Sequence, residues 1–341
     1  MMIYQCRKIL NKKMKIKFII ILHFIIGSAY ICNAQTTNSE DQIITDTTIN
    51  YEQNIIRGHR FISNPYVQSP FINTYLETLI GAGQTNVLDF PPIMIDTIEI
   101  ILPKGDLAFS YAEFEYQQAV KDWIAFSMRF NFVGRIGTDA QALISKGVNV
   151  TAGFSFGWLI KLYKDNNSML SGTMKISSNY VTLIDLYDFA EGIIDSGKIT
   201  KENTLIKTTP VTLGSFGVSY VYAFNRVFGI TAAGTASYGE SAERYSDDEW
   251  NFNYGVYVDA DLNPQYSVPI ALALSYFGVT RGKNTTSTLG DSQNIAFQIN
   301  YTGKRDLDFG LVYNYQWFKN GNLSDEINFS NIYLDLKYYF F

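Results

Sequence analysis

The chain is poor in the side chains that most active sites and metal sites need. It holds two cysteines and two histidines in 341 residues. Cys6, Cys32 and His23 all fall within the first 34 positions, and after His59 there is no histidine at all. That excludes a Ser–His or Asp–His pair carried on a later strand, a Cys/His zinc cluster and a structural disulfide in the body of the chain. No Gly-rich phosphate loop and no zinc-protease motif is present, so neither a cofactor nor a metal is expected. Basic residues are the minority, 27 against 32 acidic. A chain with this acidic balance is a poor nucleic-acid binder. Stretches of helical periodicity are scarce.

The first 34 residues differ from the rest. They carry Arg7, Lys8, Lys12, Lys13, Lys15 and Lys17 and no acidic residue. From Met14 a short basic segment leads into the apolar run Phe18–Ile26, and Cys32-Asn33-Ala34 supplies small residues before Gln35. This is the layout of a cleaved export signal with Met14 as its start, because the apolar run is well short of the ~20 residues that span a bilayer as a helix. Its removal deepens the net charge from −5 to about −11. Residues 35–65, rich in Thr, Asn, Gln and Asp, read as a flexible periplasmic segment, with the stretch from Arg60-Phe61 to Pro70-Phe71 apolar enough to pack against or inside the folded body of the chain.

After residue 106 one theme repeats. Stretches of ten or more residues alternate large apolar side chains with small or polar ones, the period of a strand with two unlike faces. Leu307, Phe309, Leu311, Tyr313, Tyr315 and Trp317 share one parity; Asp306, Asp308, Gly310, Val312, Asn314 and Gln316 share the other. Eleven such segments are expected at 107–117, 123–134, 148–162, 168–182, 213–224, 226–238, 249–261, 266–279, 292–302, 305–317 and 328–340.

Alternation fits a soluble barrel as well as a membrane one, since the pattern can be turned inside out. Three features favour the membrane. The segments match the ~9–11 tilted residues that cross a bilayer. Aromatic residues cluster at segment ends, as in Tyr220, Tyr222 and Phe224. The polar face is made of Gly, Ala, Ser, Thr and Asn rather than Lys and Glu. The connections alternate long and short, with 183–212 longest and Asn225 or 303–304 tight, as in barrels with long outer loops and short periplasmic turns. A chain whose last strand ends at the short-turn side needs an even count, so a twelfth strand must lie in 66–102, at Asn73–Thr85 or Ile93–Leu102. The expected fold is therefore all-β: a transmembrane antiparallel up-and-down β-barrel of twelve strands over 66–341.

The last strand, Ile332-Tyr333-Leu334-Asp335-Leu336-Lys337-Tyr338-Tyr339-Phe340-Phe341, resembles the C-terminal strand of Gram-negative outer-membrane β-barrel proteins. The resemblance covers 107–341 as architecture and about ten residues as motif. It implies a place in the cell outer membrane, with the lipid bilayer and the barrel-assembly machinery as partners. The assembly signal would be Tyr338, Phe340 and Phe341, with Phe340 rather than the terminal Phe341 in the usual phase.

Parity assigns Phe252, Phe297, Phe309 and Leu311 to lipid. It assigns Glu113, Glu115, Arg129, Lys175, Asp259, Asp306, Asp308, Asp335 and Lys337 to the lumen. Glu113 and Glu115 could in principle do acid–base work, but carboxylates on a wet inner face are ordinary, so the chain is not expected to be an enzyme and no catalytic residue is assigned. The charges read as an ion-pair network that braces the strands, or as a constriction that selects solutes. The acidic loop Ser241–Glu249 lacks the regular spacing of a calcium loop and reads as solvated. Asp185–Ile194, with helix-like spacing, could fold inward or cap the pore. The leading functional expectation is a passive channel or uptake barrel for small solutes, gated by loop 183–212 or by the N-terminal segment. The alternative is a non-transporting barrel that anchors a surface interaction.

Overall fold

The computed structural model describes residues 54–85, 93–95, 98–100, 108–136, 150–184, 192, 194, 196–197, 206–240, 248–281, 289–320 and 327–340. Twelve antiparallel strands form a closed barrel. They are β1 (Thr74–Thr85), β2 (Ala108–Lys121), β3 (Ile124–Ile136), β4 (Val150–Lys164), β5 (Ser168–Ile184) and β6 (Ile206–Ala223), then β7 (Phe228–Gly239), β8 (Glu249–Asp261), β9 (Ile270–Arg281), β10 (Leu289–Tyr301), β11 (Leu307–Asn320) and β12 (Ile327–Phe340). Each strand pairs with its sequence neighbours, and β12 closes the ring on β1 with Phe340 opposite Thr74 and Phe329 opposite Thr85. Closure removes both sheet edges, which a lipid environment requires of any spanning sheet.

The strand sought in 66–102 is β1. Its alternation is blurred because both faces carry apolar groups: Tyr75 and Leu79 are buried, while Leu76 and Ile80 are exposed. The other candidate region holds a short ribbon, Ile93–Ile95 with Ile98–Ile100, which pairs only with itself. Strands run from 12 to 18 residues, longer than the bilayer minimum. The longest, β6, takes in residues 206–212, which read as loop because Pro210 and its flanking threonines hide the alternation; Pro210 lies opposite Tyr180 of β5.

The two faces are as unlike as parity requires. Phe252 is 50% exposed, Phe297 44%, Phe309 45% and Leu311 48%, whereas Gln298 on the opposite parity of β10 is 1% exposed. A folded chain does not place this many bare rings and aliphatic groups toward water, and the outer surface is a continuous apolar belt of the kind lipid covers. Tyr338 and Phe340 belong to that belt; Phe341, the expected export signal 1–34 and the acidic stretch 241–247 lie outside the described residues, as does most of Asp185–Ile194.

The core lies within the ring, and its centre comes from the chain ahead of β1. Residues 54–73 sit inside the barrel: Ile56, His59, Arg60, Phe61, Ile62, Ser63, Val67, Phe71 and Ile72 are all buried. Ile56, Phe61, Phe71 and Ile72 pack with Ala125, Leu159, Met169 and Val221 of the wall. Ile62 and Val67 pack with Tyr257, Ala271 and Ala273. The segment expected to be flexible as far as residue 65 is thus packed from Asn54 onward, because the apolar residues after Arg60 find a partner surface in the lumen.

Candidate functional site: a plugged lumen and its vestibule

Residues 54–73 form a plug that rises from the short-turn end and returns to it. Ile55–Ile56 and His59–Arg60 make a tight ribbon, turned by Arg57 and Gly58, both at positive φ. Gly58 is the residue type that this turn needs. Low in the barrel, Arg57 donates to the Phe224 carbonyl at 2.9 Å. The chain then climbs to Asn64–Val67, where the Asn64 side chain accepts from the amides of Tyr66 (3.0 Å) and Val67 (3.2 Å) and turns it back. It descends past Pro70, whose carbonyl accepts from Ser171 at 2.7 Å. Gln117 holds the carbonyls of Phe71 (3.0 Å) and Asn73 (2.9 Å) before β1 begins.

Ion pairs and buried hydrogen bonds tie the plug to the wall. His59 Nε2 lies 3.1 Å from Asp259 Oδ2, both side chains fully buried, and the Ile62 amide also donates to that oxygen. Arg60 is ion-paired with Asp308 and donates to the carbonyls of Thr302 (3.3 Å) and Leu307 (3.2 Å). Tyr339 donates to the other Asp308 oxygen at 3.0 Å. Higher up, Ser63 donates to Glu77 at 2.7 Å, Lys337 reaches Glu77 at 3.1 Å, and Gln298 donates to the Ser63 carbonyl at 2.9 Å. Buried charges survive only with such partners.

The register explains the clustering. Asp308 of β11 faces Lys337 of β12, Lys337 faces Glu77 of β1, Glu77 faces Glu115 of β2, and Glu115 faces Arg129 of β3. One ring of directly opposed residues therefore carries five charges on five adjacent strands. Arg129 donates to Glu115 through Nε at 2.6 Å and reaches Glu113 at 3.2 Å. Tyr75 donates to Glu115 at 2.7 Å, and Tyr111 donates to Glu113.

Above the plug is a vestibule of 430 Å³. Its floor is the plug turn, Ser63–Ser69. Its walls carry Arg129, Lys175, Glu77, Glu113 and Glu115 together with hydroxyl and amide groups such as Ser177 and Asn179. Among the described residues no group of His, Cys, Asp and Glu has the arrangement of a metal site.

Of the charges expected in the lumen, Glu113, Glu115, Arg129, Lys175, Asp259, Asp308, Asp335 and Lys337 face inward. Asp306, half-buried, lies in the turn just before β11, where its carbonyl accepts from the Tyr339 amide at 2.8 Å. The sequence reading missed His59, Arg60, Gln68 and Glu77. The first three precede the barrel, and Glu77 lies on the strand whose pattern is blurred. The only signal for them was the apolar stretch that begins at Arg60-Phe61.

No known protein family matches the chain, and no curated protein matches it. Among solved structures it is similar to the NanC porin, at 9% identity over 77% of this chain and 100% of that one, with a TM-score of 0.44. It is also similar to the translocator domain of the autotransporter NalP from Neisseria meningitidis, at 8% identity over 79% and 89%, with a TM-score of 0.45. A third is the Pseudomonas putida toluene transporter TodX, at 10% identity over 78% and 89%, with a TM-score of 0.39. At these values the function has to be read from the chain's own residues.

Proposed function

We propose that the chain is an exported outer-membrane barrel that takes up small polar solutes, with residues 54–73 as its gate. The observation that carries this reading is the division of the lumen into a packed plug at the short-turn end and a polar vestibule above it. A barrel that served only as an anchor would have no need of a charge-lined chamber over a segment held to the wall by side-chain contacts. In this reading residues 1–34 are cleaved on export, the short turns face the periplasm, and solute enters from the loop side. The plug is attached to the wall through side chains and to β1 through a single backbone connection, so it can shift without opening the sheet.

The packed lower lumen supports the second reading, a filled barrel that anchors a surface interaction. Planar bilayers separate the two. Purified protein should show rare discrete conductance steps, which become more frequent when the plug is loosened by Arg60→Met or Gly229→Ala. A correctly folded barrel that stays silent in the natural chain and in both variants would overturn the channel reading and leave the anchor.

A further inference from the structure

The vestibule holds three carboxylates and three cations, but they are not matched one to one. Arg129 takes both Glu113 and Glu115, and Lys337 takes Glu77. Lys175 has no carboxylate within ion-pairing distance among the described residues. Its hydrogen-bond partner is a neutral group on the plug, the side-chain oxygen of Gln68.

The surroundings of Lys175 are those of an anion site. Ser215 of β6 lies directly opposite it, and Gly157 of β4 lies opposite on the other side. A Cβ at Gly157 would come within 2.5 Å of Lys175 Cγ, so glycine there gives the lysine stem its room. Two positions along β5 is Ser177, facing Ser155 of β4. Ser155, Ser177, Ser215 and Asn179 all line the vestibule with Lys175. The wall groups directly beside Lys175 are hydroxyls and an amide, while the charges of Arg129, Glu115 and Glu113 stand further off in the same vestibule; a carboxylate or phosphate on the ammonium adds a full opposite charge to a bond that the Gln68 oxygen now makes with a partial one.

We propose that the vestibule binds the anionic end of a small solute, a carboxylate or phosphate, on Lys175, and that the anion displaces Gln68. Because Gln68 belongs to the plug, occupancy removes one of the contacts between plug and wall and favours release of the gate. A ligand shifts such an equilibrium only by its differential affinity for the two states, and here the open state alone leaves Lys175 wholly to the anion. The coupling rests on the channel reading; the binding site does not.

Calorimetry on the folded barrel in detergent tests the site with gluconate, glucose 6-phosphate and glucose as probes. Gluconate or glucose 6-phosphate should bind and glucose should not; gluconate alone would mean a carboxylate site, glucose 6-phosphate alone a phosphate site, and both a general anion site. Lys175→Met should weaken binding at least tenfold. Gln68→Glu, which supplies the missing carboxylate from the plug, should weaken it comparably, and Gln68→Ala should tighten it a few-fold. If Lys175→Met fails to fold, the opposite signs at Gln68 decide. Equal binding of glucose, no binding of either anion, or indifference to the Gln68 changes would overturn the site. In bilayers, the binding anion should raise the frequency of openings. Anion binding to a silent barrel would uphold the site while removing the channel, and openings without anion binding would do the reverse.

Discussion

Replacing Arg60 by methionine tests whether the plug is seated by charge as well as by packing. Arg60 is 6% exposed and its partner Asp308 1%. Removing the guanidinium leaves a buried carboxylate with the Tyr339 hydroxyl as its remaining partner on that side. Breaking a buried pair from one side costs about 3–5 kcal/mol, mostly the burden of the abandoned charge. The penalty falls on the plugged state, since Asp308 can hydrate once the plug leaves. Hydrogen exchange at the Phe61 amide, bonded to the Asn54 carbonyl at 2.8 Å, should therefore accelerate by roughly two to three and a half orders of magnitude. Replacing both partners, Arg60→Met with Asp308→Leu, should recover at least ~2 kcal/mol of that loss, because a buried pair exchanged for apolar groups is close to neutral. Unchanged exchange in the single variant, or no recovery in the double, would refute the assignment of Arg60 to the lumen.

Three further outcomes are expected from other parts of the molecule. Phe252→Lys, on the lipid face, should cost about 2–4 kcal/mol in reversible unfolding from lipid, while Asn253→Lys, on the half-buried wall of the vestibule, should be mild; equal costs would mean that the faces are reversed. Gly229→Ala places a Cβ about 2.5 Å from both the His59 and Phe61 rings, so it should loosen the plug by roughly 1–3 kcal/mol, seen as faster exchange at Phe61 with the β-sheet spectrum intact. Arg129→Ala strips Glu115, itself 3% exposed, of its cation. It should destabilise the barrel by about 3–5 kcal/mol unless Glu115→Gln is added, with urea midpoints as the check.

What the sequence made legible was set by period and parity. Strands such as β10 and β11 separate ring from amide at every step, so their faces could be assigned residue by residue, and Phe297 and Gln298 lie where alternation put them. The twelfth strand was demanded by counting and narrowed to two stretches, of which Asn73–Thr85 is the one that forms it; period could not decide between them, since Tyr75 and Leu79 turn inward as apolar residues and cancel the contrast with Leu76 and Ile80. The site was half visible for the same reason. Glu115, Arg129 and Lys337 sit on clean strands, but their opposition across strands is set by register, which no single strand encodes. The plug was the least legible part. His59, Arg60 and Gln68 lie in a segment with neither period, and their roles come from contacts with residues 200 or more positions away in the case of His59 and Asp259, which local pattern does not carry.

The central claim is that residues 54–73 close the lumen and must move for solute to pass. Val67 and Gly255 test it most directly, because a Cβ at Gly255 would lie 2.9 Å from Val67 Cγ2, close enough for a disulfide between Val67→Cys and Gly255→Cys. Single-channel recording of the double variant should show no openings when oxidised and a return of openings on reduction. Openings that persist unchanged with the bond formed would contradict the claim.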